Sequence, residues 1–235
     1  MKQAQETQRS QSLALNCQDI SKTFGDIQIL KGINLSVQQG EIVVISRRSG
    51  MGKSTLMAIL AGLDQPSTGA VTLAGHSLAH LSNQEMSKLR RTSVGFIFQR
   101  FNLLPSWTAL ENVEVALRHA NLSKPKRQAH ASQCLSELGL NDRLGHLPVE
   151  LSVGQQQRVA VARALAHRPA IIFADEPTGD VDPETGQEIL EILVQAVRRW
   201  GSTLIVVTHG NFTLTHADRQ FTLAEGELKE TDLAK

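Results

Sequence analysis

The segment that most constrains this chain runs Val43-Val44-Ile45-Ser46-Arg47-Arg48-Ser49-Gly50-Met51-Gly52-Lys53-Ser54-Thr55. It is an apolar strand passing through a glycine-containing loop into the helix formers Leu56 to Ala61, with Gly62 placed to end the helix. The loop follows the phosphate-binding pattern G-x-x-x-x-G-K-[ST], except that Arg47 stands where the pattern opens on glycine. Inward-turned N–H groups and the positive end of a helix starting near Lys53 make such a loop a concavity for anions. Gly50 and Gly52 supply the backbone freedom that close approach requires. Lys53 would reach the outer phosphates of a nucleotide, and the Ser54 hydroxyl would ligate Mg2+. Arg47, Arg48, Ser49, Gly50, Met51, Gly52, Lys53, Ser54 and Thr55 are therefore the candidate phosphate contacts. Taken alone, the run also fits an ordinary strand, turn and helix with an incidental Gly-Lys-Ser.

A second feature answers it. Ala170-Ile171-Ile172-Phe173-Ala174-Asp175-Glu176 is a short apolar strand ending in two carboxylates. Burial explains the apolar run but not adjacent acids at its tip. Beside a phosphate-binding loop, Asp175 can hold magnesium and Glu176 can orient or deprotonate an attacking water.

The rest of the chain fits one large α/β domain, or a core with a subdomain. Its 235 residues can bury a sizeable interior, and a formal net charge of +1 makes no electrostatic case for nucleic acid. No window is long and apolar enough to cross a bilayer, and the polar stretch Met1 to Ser12 reads as a tail without a secretion signal's apolar core. Cys17 and Cys134 suggest free thiols in a reducing, cytosolic setting. Strands are expected from Leu13 to Ile20 and from Ile33 to Val37 with turns at Gly25 and Gly32, and then at 42–45, 70–73, 204–207 and 220–223. Helical periodicity runs from about Pro105 to Glu150, broken by a solvated Lys124-Pro125-Lys126-Arg127 turn, and resumes from Glu184 to Trp200. Strands alternating with helices, with a nucleotide loop at a strand's carboxyl end, imply a mostly parallel sheet flanked by helices.

Between the two motifs lies Leu151-Ser152-Val153-Gly154-Gln155-Gln156-Gln157-Arg158, which resembles the LSGGQ signature of the ATP-binding cassette (ABC) ATPases except at Val153. The resemblance covers nearly the whole chain, with landmarks in the family's order. It implies that Phe24 stacks on adenine and that Gln99, in Gly95-Phe96-Ile97-Phe98-Gln99, is the Q-loop glutamine. It implies that Gly179-Asp180-Val181-Asp182 is the D-loop and that His209 is the switch histidine. By the same resemblance Glu176, His209 and Gln99 would be catalytic, and Ser54, Gln99 and Asp175 would hold Mg2+. Ser152, Gly154 and Gln155 would contact ATP across a dimer. The implied fold is a P-loop NTPase domain spanning 13–230. Its mostly parallel sheet carries an antiparallel β part and an inserted helical subdomain at about 101–158.

The implied partners are transmembrane permease subunits on separate chains and a second ATPase chain, identical or different, that closes on this one with ATP; no nucleic acid is implied. The implied place is cytoplasmic, peripheral on the inner face of the cell membrane. Gly62-Leu63-Asp64, Phe101-Asn102-Leu103-Leu104-Pro105 and Ala109-Leu110-Glu111-Asn112-Val113 resemble the branch serving lipoprotein release and macrolide or peptide export. Two departures leave two readings. Arginine at 47 lacks glycine's access to positive φ, and β-branched Val153 resists φ > 0 within the signature. One reading is a hydrolysing subunit powering export. The other is a degenerate ATP-binding module with weak or no turnover. A soluble ABC protein of translation or DNA repair is disfavoured by the single compact cassette.

Overall fold

The computed structural model describes residues 12–47, 52–209 and 217–231, with the side chains of Arg47 and His209 outside that description. Six strands form the central sheet: β3 (Ile42–Arg47), β6 (Val94–Ile97), β7 (Ile171–Asp175), β8 (Thr203–His209), β9 (Arg219–Ala224) and β10 (Glu227–Thr231). Their order is β10-β9-β3-β8-β7-β6, parallel throughout except for β10, which pairs antiparallel with β9. The inner parallel strands β3, β7 and β8 carry apolar runs because both their faces are covered. Ile42, Val44, Ile172, Ala174, Leu204 and Val206 join one core cluster, while Val43, Ile45, Ile171, Phe173, Ile205 and Val207 join the other.

The first face packs under α3 (Ala109–Glu114), α4 (Lys124–Glu137), α5 (Val153–Leu165) and α6 (Pro183–Trp200). The second packs under α1 (Lys53–Leu60) and a four-stranded antiparallel sheet, order β2-β1-β4-β5. That sheet comprises β1 (Leu13–Phe24), β2 (Ile27–Gln38), β4 (Thr68–Leu73) and β5 (His76–Ser77). A further helix, α2 (Asn83–Ser93), precedes β6 and opens on a capping box between Ser82 and Glu85. α1 stops as the sequence predicts. Gly62 follows the cap residue Ala61 at φ 67, and Leu63 N–H returns to the Ala58 carbonyl at 2.7 Å.

Two local expectations are corrected. Gly32 is no turn: it lies inside β2 at φ 58, where three residues of β2 (Lys31, Gly32 and Ile33) advance against two of β1 (Ser21 and Ile20) between the pairs Lys22–Leu30 and Ile20–Ile33. It is a bulge, and glycine supplies the positive φ. Lys124-Pro125-Lys126-Arg127 is the first turn of α4, with proline where a missing N–H costs nothing. Arg127 is not a solvated charge. It bonds the buried Glu114 carboxylate and the Leu122 carbonyl, at 3.1 and 2.9 Å. Cys17 and Cys134 are free and buried, and burial pushes their thiols up to about 12 and about 11.

Candidate functional site

The carboxyl ends of three adjacent parallel strands define the site. β3 ends at Arg47 and β8 at His209, paired opposite each other, and Asp175 closes β7 opposite Val207. The chain leaves β7 through Glu176, whose N–H donates to the Val207 carbonyl at 2.8 Å. Glu176 has φ 47, an uncommon backbone for a non-glycine residue and a crowded one immediately before Pro177. Its carboxylate meets the ammonium of Lys53, the first residue of α1, in a direct ion pair. The residues are 6% and 8% exposed, so the charges have exchanged water for each other. The bond joins residues 123 positions apart in sequence.

The other residues that could hold a phosphate or a metal come from the start of α1 and from the segments after β6 and β7. Gly52 caps α1 at φ 126, where a Cβ would also stand 3.3 Å from Ile29 Cγ2, so only glycine fits without strain. Among the described residues no side chain caps α1 and its first turn carries no acid, so the positive end of the helix suits an anion. Ser54 is exposed beside Lys53 and Thr55 is half-buried. Gln99 is exposed just beyond β6, and its Nε2 lies 3.2 Å from where a Cβ on Gly179 would sit. Gly179 N–H donates to the Glu176 carbonyl at 3.0 Å, so the Q-loop amide and the turn after Glu176 lie together. A helix start and an ammonium suit a triphosphate, and a hydroxyl with a carboxylate is a donor set that suits Mg2+.

Arg48, Ser49, Gly50 and Met51 lie outside the described residues, as do the side chains of Arg47 and His209. Phe24 ends β1 with 52% of its surface exposed and Lys22 Nζ 5.0 Å from its ring centroid, so it is no core aromatic. Ile29, three residues along from the hairpin's Asp26, touches the Gly52 position and sets that hairpin beside the start of α1.

The signature residues form a separate group at the start of α5. Ser152 caps the helix in a reciprocal box, its Oγ accepting from Gln155 N–H at 3.2 Å and its own N–H donating to Gln155 Oε1 at 3.0 Å. Gly154 lies where a Cβ would fall 2.7 Å from Thr185 Cγ2 on α6. Hydrogen bonds from Thr185 hold the Asp182 carboxyl below the usual carboxylate range and cap α6.

Both departures prove conformationally ordinary. Position 47 is the last residue of a strand, in ladder register with His209 and Leu223. Position 153 is the first helical residue of α5, outside the positive-φ set and 45% exposed. Neither backbone needs glycine, which corrects the expectation drawn from positive φ. Val153→Gly should therefore change stability by less than about 1 kcal/mol. Gly154→Ala, whose methyl meets Thr185, should cost about 1–3 kcal/mol. Urea unfolding of both variants checks the ordering.

Sequence reading missed Gln157. It is 1% exposed and donates from Nε2 to the Pro177 carbonyl at 2.6 Å. The helical period was the available signal: Gln157, Val161, Ala164 and Leu165 share one buried face of α5.

Known proteins share this sequence and fold. The family described as ABC transporter matches residues 30–179, more than half of the chain. The macrolide export ATP-binding/permease protein MacB of Marinobacter nauticus is 46% identical over 92% of this chain, which spans only 34% of that relative. The uncharacterized ABC transporter ATP-binding protein YbbA of Escherichia coli is 46% identical over 87% of this chain and 90% of its own length. The ATP-binding cassette MJ0796, solved as a dimer in a post-hydrolysis state with ADP and Pi, superimposes with a TM-score of 0.85. It is 39% identical over 94% of this chain and 99% of that one. This chain belongs to the ABC transporter family, as one of its P-loop ATPase cassettes.

Proposed function

We propose that the chain binds ATP with Lys53 and the start of α1, hydrolyses it with Glu176, and so powers an exporter of the lipoprotein, macrolide or peptide type through separate permease subunits. The observation that carries this reading is the buried Lys53–Glu176 pair, which puts a phosphate-seeking cation and a candidate base at one point. Their exchange of partners is the working step. Lys53 leaves the carboxylate for the outer phosphate oxygens, and the released Glu176 carboxylate accepts a proton from water attacking the γ-phosphorus. Ser54, Asp175 and Gln99 would hold Mg2+, which would supply Lewis-acid stabilisation of the negative charge developing on the phosphates. Phe24 is the proposed adenine platform and His209 the proposed γ-phosphate contact.

A second, identical chain would complete each site with Ser152, Gly154 and Gln155. The dimeric MJ0796 relative supports that arrangement. The capping box satisfies the Ser152 and Gln155 amides and leaves those of Val153 and Gly154 for a partner's nucleotide. Valine keeps that backbone donor. The ordinary backbone at 47 and 153 supports turnover over the reading in which these residues silence the cassette.

Residues 101–158 are proposed as the helical subdomain that passes the motion on to the permease. Arg163, on α5 beyond that stretch, donates to the Phe101 and Asn102 carbonyls at 2.7 and 2.6 Å, tying α5 to the start of the subdomain just after Gln99. Among the described residues no helix is long and apolar enough to cross a membrane, in keeping with a peripheral place on the inner membrane face. The test is Mg-ATP turnover by the full chain. A rate of roughly 0.1–10 per second, changed less than about threefold by Val153→Gly, supports the proposal; binding without turnover returns the degenerate module.

A further inference from the structure

Glu176 must hold its carboxylate on target from a backbone that resists its own conformation. A positive φ before a proline is stable only where neighbours over-determine it. Three hydrogen bonds do so here. The Glu176 N–H is held by Val207, the Glu176 carbonyl by the Gly179 N–H, and the Pro177 carbonyl by Gln157 Nε2. The first two are backbone bonds of the kind any sequence makes. The third is a side-chain choice, and an expensive one.

Among the described residues Gln157 is one of the most buried polar side chains, and its Oε1 has no hydrogen-bond partner there. A buried acceptor without a donor costs free energy, and a methionine of similar shape would remove both donor and orphaned acceptor. An apolar residue would suit the surrounding face of Val161, Ala164 and Leu165. The amide therefore has one evident use, the 2.6 Å bond to Pro177.

We propose that Gln157 is a positioning residue for hydrolysis: its carboxamide anchors Pro177 and thereby aims Glu176, linking the helix that opens on Ser152 to the candidate base. The link joins two sites. In the dimer proposed above, on which this inference rests, Ser152 and Gly154 serve the partner's nucleotide while Glu176 serves its own. Gln157 lies five residues from Ser152 along α5, so a displacement of the signature helix is delivered to the residue following Glu176.

The test uses the full chain and two variants. Gln157→Met keeps the volume and removes the donor; Gln157→Asn keeps the amide and withdraws it by one methylene. Both should lower kcat by roughly 10- to 100-fold with the KM for Mg-ATP within about twofold, because only the aim of the base has changed. In the nucleotide-free chain, amide exchange at Glu176 and Gly179 should accelerate at least about tenfold while the α5 amides stay protected. Unchanged kcat in either folded variant overturns the proposal. So does an even loss of protection over α5 and α6 with kcat and KM falling together, which is the mark of a merely structural glutamine. A wild-type chain that binds Mg-ATP without turning it over would sink the hydrolytic reading and this role with it. The exchange measurement would then still report whether Gln157 anchors the turn.

Discussion

Replacing Lys53 with alanine should raise the dissociation constant for Mg-ATP at least about 100-fold and abolish turnover, since it deletes a charge-assisted contact to phosphate worth roughly 3 kcal/mol. The same change should weaken the fold. Glu176 is 8% exposed, and removing the cation beside a buried carboxylate costs about 3–5 kcal/mol by analogy with broken buried pairs. Some of that loss returns as water enters beside the carboxylate, so thermal unfolding should show a clear drop rather than collapse. Lys53→Arg should restore stability better than binding. A guanidinium can pair with Glu176, but its planar fork does not reproduce a compact ammonium at the start of α1. Calorimetric titration with Mg-ATP beside thermal unfolding separates the two effects. An alanine variant that binds Mg-ATP as tightly as the parent would refute the role given to Lys53.

That double effect explains why part of the site was legible in the sequence and part was not. β3, β7 and β8 declare themselves because strands buried on both faces are apolar at every position, and the two motifs sit where those runs stop. The family order then supplied Gln99, the signature and the D-loop. What the sequence withheld is partnership across long separations. Nothing local says that Lys53 meets Glu176; it follows from β8 lying between β3 and β7, a matter of strand order. Arg127 likewise reads as a solvated charge until α3 and α4 pack and bring Glu114 to it. Gly32 reads as a turn because a bulge and a turn ask the same φ of glycine. α2 was overlooked although Ser82 and Glu85 spell its capping box, because its helix is polar and buries only Leu89. At Arg47 and Val153 glycine's positive φ has no bearing, because the backbones there are strand and helix, which no local pattern declares.

The pair also gives Glu176→Gln an outcome that a simple loss of a base would not. Turnover should fall by roughly 10²–10⁴-fold, because an amide cannot take the proton of the attacking water. Affinity should move the other way. In the parent chain a triphosphate must draw Lys53 away from a carboxylate held in a nearly dry site, and the amide removes that competitor. Mg-ATP should bind the variant several-fold more tightly, and the thermal shift it produces should exceed the parent's by the same linkage. Without nucleotide the variant should be the less stable protein, since its lysine has lost a buried counter-charge. Slow cleavage with tighter binding should also hold chains together as ATP-dependent dimers, visible by light scattering and dispersed by dilution into nucleotide-free buffer. Turnover within tenfold of the parent would remove Glu176 as the base. Weaker binding would show that the ion pair does not compete with phosphate, and the exchange of partners at Lys53 would have to be abandoned.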